Sequence, residues 1–263
     1  MKRLIPSIIT LLNLACGAAA ILIAIGETAI GGNRHWWVAG LMVLAMLADF
    51  ADGLVARLLK VTSEIGAQLD SLADMVTFGL LPGILVYQVL FLQLTANDPG
   101  TGNNHLAYWP WLGLIIPLFS AYRLAKFNVD TRQTTHFRGF PTPPNAFLFL
   151  SIYLLFAEDW APLGFHPDQL RTAWTPVELI DLSFIYQPIP LSIITVVMSL
   201  LLVSNVPLLS SKMSNYRLQN NWVLYGLVGI SLVLLAIMWY KAVPLIIVLY
   251  FIASFIDRIS RRT

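Results

Sequence analysis

Four aspartates carry the residue types and spacings best suited to chemistry. Asp49 and Asp52 stand three apart in the segment Leu47–Arg57, and Asp70 and Asp74 stand four apart in the segment Gly66–Asp74. On a helix each pair shares one face. A connection of roughly a dozen residues predicts that the two helices are antiparallel neighbours, with both pairs at one depth and facing each other. Four carboxylates at one place repel and resist burial, and the nearby cations, Arg57 and Lys60, are too few to balance them. Hard divalent cations prefer oxygen ligands, so Mg²⁺ or Mn²⁺ would settle the charge. Two such ions about 4 Å apart clamp a phosphate undergoing in-line displacement. A lone aspartate near a helix end reads equally well as a snorkelling or capping residue. Four on adjacent helices, beside the small residues Gly53 and Ala56 and the cation Arg57, point instead to a metal site for phosphoryl transfer.

The elements that must position these acids are membrane helices. Of 263 residues 57% are hydrophobic and only 11% charged, against roughly 25% charged in a typical soluble domain, and the mean hydropathy is +0.73. Long apolar runs between short polar stretches predict an all-α, polytopic transmembrane helical bundle. Eight spans are expected near 5–26, 36–58, 71–94, 108–127, 143–158, 184–206, 222–239 and 242–257. With both termini cytoplasmic, one side holds Lys2, Arg3, Arg57, Lys60, Arg123, Lys126, Arg132, Arg138, Lys212, Arg217, Arg258, Arg261 and Arg262, and the other only Arg34, Arg171 and Lys241. That asymmetry follows the positive-inside rule and puts the aspartates at the cytoplasmic face. The run after Lys2 and Arg3 reads as the first span rather than a cleaved leader. The net charge of +2 gives no support to a nucleic-acid partner, the single Cys16 has no internal disulfide partner, and the four histidines lack metal-ligand spacing.

Residues 49–74 spell D-x2-D-G-x2-A-R-x8-G-x3-D-x3-D. This long gapped pattern resembles the signature of the CDP-alcohol phosphotransferase family, with every fixed position present. Members displace CMP from a CDP-linked alcohol with the hydroxyl of a second alcohol. The resemblance implies that Asp49, Asp52, Asp70 and Asp74 are metal ligands and that Asp74 is also the general base. It implies a nucleotide pocket lined by Gly53, Ala56 and Gly66, with Arg57 orienting carboxylates or phosphate.

Three further segments resemble the membrane-bound phosphatidylserine synthases of bacteria and archaea. The first is Ile5–Gly17, in which Ser7 stands where Asn is usual and Thr10 and Asn13 remain as candidate nucleotide contacts. The others are Arg123–Asn128 and Phe137–Ala146, in which Phe140 replaces the usual Leu. The resemblance implies CDP-diacylglycerol and L-serine as substrates, in the cell (inner) membrane. A serine carboxylate entering a site crowded with aspartates needs a cationic receptor, and Arg123 and Arg138 lie on the same side of the membrane. Asn128 joins them as an acceptor-binding candidate. Glycerol 3-phosphate or inositol phosphate would also want arginines, so charge does not choose the acceptor. A cation or lipid transporter is the non-enzymatic alternative, but it would place acids at mid-membrane on several helices.

The specific resemblance ends near residue 150. A catalytic core over 1–158 is therefore expected, with 159–263 adding helices to the same membrane domain. Gly79-x3-Gly83 permits close helix packing and is the sequence's hint of a homodimer.

Overall fold

The structure is a computed structural model, and it describes residues 4–26, 33–61, 64–97, 108–129, 139–159, 181–206, 208–209 and 218–260. Among them the regular structure is entirely helical: α1 (Leu4–Ile25), α2 (Arg34–Leu58), α3 (Glu64–Asp74), α4 (Leu81–Asn97), α5 (Ile115–Val129), α6 (Thr142–Asp159), α7 (Pro188–Val203), α8 (Leu218–Met238) and α9 (Val243–Ser260). Each apolar segment expected from the sequence holds helix. Five stretches among the described residues are long and apolar enough to cross a membrane: Leu4–Ile25, Arg34–Leu58, Glu64–Thr95, Trp109–Val129 and Asn221–Arg258. The stretch Asn221–Arg258 runs through α8, a 3-10 turn at Trp239–Ala242 and α9.

Lipid tails are as apolar as leucine, so these helices associate through close packing and hydrogen bonds rather than through hydrophobic transfer. α6 shows the packing most clearly. It is apolar around its whole circumference, and every residue from 148 to 157 is buried, the mark of a helix wrapped by its neighbours. α2, α4, α9 and the turn after α3 pack against it. Small residues bring backbones together elsewhere. A methyl group on Gly83 would lie 2.8 Å from the Gly113 carbonyl oxygen and 2.7 Å from Pro117, and one on Gly79 would lie 3.1 Å from Ser120 Cβ. The Gly79-x3-Gly83 stripe is thus consumed inside the chain, where it seats α4 on the Trp109–Leu114 3-10 turn and on α5. The feature that hinted at a homodimer is not free for one.

Polar contacts sort the helix ends into two groups. At one end Asn128 Nδ2 donates to Ser71 Oγ (2.9 Å), Arg123 Nη1 to Thr142 Oγ1 (3.2 Å), and Lys126 Nζ to Asn205 Oδ1 (3.2 Å). Gly139, at φ +82°, donates its N–H to the Val206 carbonyl (3.3 Å). A side chain there would strike the Leu202 carbonyl oxygen at 2.6 Å, which accounts for glycine. At the other end Lys241 Nζ pairs with Glu158 (3.1 Å), Trp36 meets Tyr240 edge-on, and Trp109 Nε1 donates to Ser192 Oγ (2.7 Å).

Candidate active site

The first of these ends carries the acids. α2 delivers Asp49 and Asp52 within its last three turns, just after the run Ala45-Met46-Leu47-Ala48, which favours helix. The helix stops in a tight C-terminal turn in which Val61 N–H reaches the Ala56 carbonyl (3.1 Å), Lys60 N–H reaches the Arg57 carbonyl (3.2 Å), and Lys60 itself adopts φ +52°. This Schellman turn reverses the chain within a few residues and folds Val61 back over Ala56. α3 then starts at Glu64, an acid in its first turn that complements the helix dipole. It brings Asp70 and Asp74 to Asp49 of α2.

One carboxylate oxygen each from Asp49, Asp70 and Asp74 lies within 4.8 Å of the others. Asp52 stands apart from this trio. It is buried, and its Oδ2 accepts the Thr10 hydroxyl of α1. Three of the four expected ligands therefore converge, and the fourth is engaged by a hydroxyl at the rim. Asp70 Oδ1 is buried without a hydrogen-bond partner among the described residues. A buried acceptor left in that state costs free energy unless something fills it. Three carboxylates with an unmet oxygen form a donor set that fits a hard divalent cation. Asp49, Asp70 and Asp74 would hold it, with Asp52 adjacent.

A cleft of about 240 Å³ opens beside the acids, lined by Pro6, Ser7, Thr10, Asp52, Gly53, Ala56, Val61, Gly66, Ala67 and Asp70. Thr10, Gly53, Ala56 and Gly66 are thus on its wall. Ser7 is there too, although its departure from the usual Asn argued against a role. Val61 and Ala67 carry no type-based signal that would have singled them out. Nothing lies within 4 Å of where a Gly53 side chain would go, so the missing group leaves space rather than close packing.

Two other expected contacts sit elsewhere. Asn13 is fully buried behind the cleft, with Nδ2 directed at Asp74 Oδ1 (3.4 Å). Arg57 is exposed and folds back along its own helix, donating Nε to the Gly53 carbonyl (2.9 Å). Of the acceptor candidates, Arg123 lies in α5 at the trio's end of the bundle. Its Nη1 bonds Thr142, and its Nε is buried without a partner among the described residues. Asn128 is exposed and ties α5 to α3 through Ser71. Arg138 lies outside the described residues. Asn145, three residues beyond Thr142, was passed over; it is fully buried, and both its amide atoms lack a partner among the described residues.

Comparison with known proteins agrees with this geometry. The sequence profile of the CDP-alcohol phosphatidyltransferase family matches residues 3–231. A CDP-diacylglycerol–serine O-phosphatidyltransferase of Bacillus subtilis is 30% identical over 206 residues, covering 77% of this chain and 88% of that protein. One from Helicobacter pylori is 34% identical over 117 residues, covering 44% and 45% of the two chains. An archaetidylserine synthase of Methanothermobacter thermautotrophicus is 32% identical over 155 residues, covering 57% and 58%. The convergent aspartates on α2 and α3 and the profile match over most of the chain lead to one assignment: this is an enzyme of the CDP-alcohol phosphatidyltransferase family.

Proposed function

We propose that the chain transfers a phosphatidyl group from CDP-diacylglycerol to the hydroxyl of L-serine, giving phosphatidylserine and CMP, at the cytoplasmic face of the cell membrane. The observation that carries the chemistry is the meeting of Asp49, Asp70 and Asp74 beside a cleft walled by Thr10, Gly53, Ala56 and Gly66. Glycine and alanine at the wall leave room for a nucleotide to approach the backbone. Asp49, Asp70 and Asp74, with Asp52 adjacent, would hold Mg²⁺ or Mn²⁺, in this reading as a pair of ions, which would supply positive charge for the pyrophosphate. Asp74 takes the proton of the serine hydroxyl. The serine oxygen forms a bond to the phosphorus bearing the diacylglycerol, the bond from that phosphorus to the bridging oxygen breaks, and CMP departs with the electron pair. The acyl chains stay in the lipid throughout.

Two observations favour serine. Three relatives named above act, by their names, in phosphatidylserine or archaetidylserine synthesis. In addition, the Arg123 guanidinium, whose buried Nε has no partner among the described residues, invites an anion, and the amino-acid carboxylate supplies one. Arg138 and Asn128 complete the acceptor side in this reading. Eight spans with cytoplasmic termini give the bundle its orientation. Residues 1–158 form the catalytic core, and 159–263 brace it through α7 against α5 and α9 against α6.

The test uses purified protein, labelled CDP-diacylglycerol and a panel of acceptors: serine, glycerol 3-phosphate, inositol phosphate and none. Phosphatidylserine as the dominant lipid product is expected. A phosphorylated lipid product from another acceptor would overturn the serine assignment, and CMP release absent with every acceptor would overturn the reaction. Arg123→Ala should raise the serine KM by about tenfold or more while leaving the donor KM within a few-fold. An equal effect on both would reduce Arg123 to a packing residue.

A further inference from the structure

The helix carrying Asp70 and Asp74 does not continue as a regular α-helix. Residues Met75–Leu80 form a π turn immediately after Asp74, closed by Leu81 N–H on the Val76 carbonyl. Such turns are rare and often lie at functional sites. Thr77 lies inside this one. It is fully buried, and its Oγ1 lies 2.8 Å from Asn13 Oδ1 and 3.3 Å from the Asn13 carbonyl oxygen. A hydroxyl has one proton to donate, and the shorter contact is to the amide oxygen. Gly17, one helical turn after Asn13, lets this happen: a methyl group there would sit 2.3 Å from Thr77 Oγ1 and 3.0 Å from Thr77 Cα.

A primary amide can turn either face to a neighbour. With Oδ1 held by the Thr77 hydroxyl, Asn13 turns its Nδ2 donors to Asp74 Oδ1 (3.4 Å). The reverse orientation would set the amide oxygen against a carboxylate oxygen. We infer that Thr77 is a positioning residue for the reaction: its hydroxyl sets the orientation of the Asn13 amide, and Asn13 in turn holds the Asp74 carboxylate where it meets Asp49 and Asp70. Thr77 touches neither substrate nor ion in this scheme. It acts as the outer partner of a ligand's partner, and loss of such partners elsewhere costs about 10–100-fold in metal affinity or activity. The inference rests on the aspartate trio being a metal site, as proposed above.

The experiment separates the hydroxyl from the shape of the side chain. Thr77→Val keeps the shape and removes the donor, whereas Thr77→Ser keeps the donor and removes the methyl group. Mn²⁺ binding to the full chain in detergent is read by electron paramagnetic resonance without substrate, and kcat and the donor KM are measured beside it. Thr77→Val should weaken Mn²⁺ binding and lower kcat by about 10-fold or more with little change in donor KM, and Thr77→Ser should stay within about threefold of the wild type. A packing role reverses that order, because valine would then be tolerated. Wild-type Mn²⁺ affinity in Thr77→Val, or equal losses in both variants, overturns the inference. Asn13→Ala breaks the same chain from its other end. It should weaken Mn²⁺ binding equally, and it decides the matter if Thr77→Val does not fold. A wild-type protein that binds no Mn²⁺ overturns the metal site itself and this inference with it. One that binds Mn²⁺ but makes no phosphatidylserine overturns only the acceptor.

Discussion

The most apolar 18-residue windows of the stretches Glu64–Thr95 and Asn221–Arg258 are alike in hydropathy, at 2.0 and 2.4, yet 56% of the first window is buried and only 17% of the second. The first carries Asp70, Asp74 and Thr77, and each of these needs partners that lipid does not supply. Other helices therefore surround it: α1, α5 and α6 all pack on its π turn. The second exposes Val228, Ile230, Leu232 and Val233, and added side chains at Gly226 and Gly229 would meet nothing within 4 Å. Apolar side chains facing lipid need no protein neighbour, whereas buried acids and hydroxyls do. Between these two stretches, then, hydropathy does not tell which one is packed and which one is exposed.

The largest test of that contrast exchanges one acid on each stretch. Asp74→Asn should lower kcat by at least about 100-fold, the usual worth of a general base, while CDP-diacylglycerol still binds. Asp257→Asn, near the end of α9, should leave turnover within about twofold. Comparable losses from both would mean that the aspartates act through general membrane electrostatics rather than through one site.

A second test exchanges glycines. Gly17→Ala drives a methyl group into Thr77, and overpacking of this kind costs about 1–3 kcal/mol. Gly229→Ala projects into open space inside α8 and should raise stability by up to about 1 kcal/mol, the ordinary gain of alanine over glycine in a helix. Thermal unfolding midpoints in one detergent compare the two directly. Equal midpoints would mean that α1 and the π turn separate more easily than their contact implies.

The same contrast explains what could be foreseen from the sequence. The aspartates were legible because i,i+3 and i,i+4 spacings fix a shared face whatever surrounds the helix. The apolar runs were legible because every element is long enough for its composition to dominate. The inner connections were not. Asn13 was expected at the nucleotide and instead backs Asp74, because only the tertiary approach of α1 to α3 reveals which side of α1 is covered. Arg57 was expected to reach carboxylate or phosphate and folds onto the Gly53 carbonyl. Thr77 gave no signal at all, since a π turn depends on packing and has no spacing rule that marks it beforehand. Gly79 and Gly83 were read as a surface for another copy, yet they receive Ser120, Gly113 and Pro117 of the same chain.

Gly53 offers a smaller and more revealing effect, because stability and activity should move in opposite directions. It lies inside α2, where glycine is less favourable than alanine by up to about 1 kcal/mol, and no protein atom would obstruct the added methyl group. Gly53→Ala should therefore raise the unfolding midpoint by a few degrees. The methyl group projects from the cleft wall, so the donor KM should rise several-fold with the serine KM unchanged. A more stable enzyme with an unchanged donor KM would remove Gly53 from the nucleotide's path.

The smallest effect belongs to the turn that reverses α2 into α3. Lys60 holds φ +52°, a left-handed conformation that costs an L-residue about 1–2 kcal/mol and that glycine adopts without penalty. The backbone bonds of Val61 to Ala56 and of Lys60 to Arg57 do not involve its side chain, so Lys60→Gly keeps the Schellman turn and relieves the strain. Stability should rise by about 1 kcal/mol. Activity should not change, because Lys60 lines no part of the cleft, whereas its neighbours Ala56 and Val61 do. A lower midpoint would show that the ammonium group secures the α2–α3 turn by more than its backbone conformation costs.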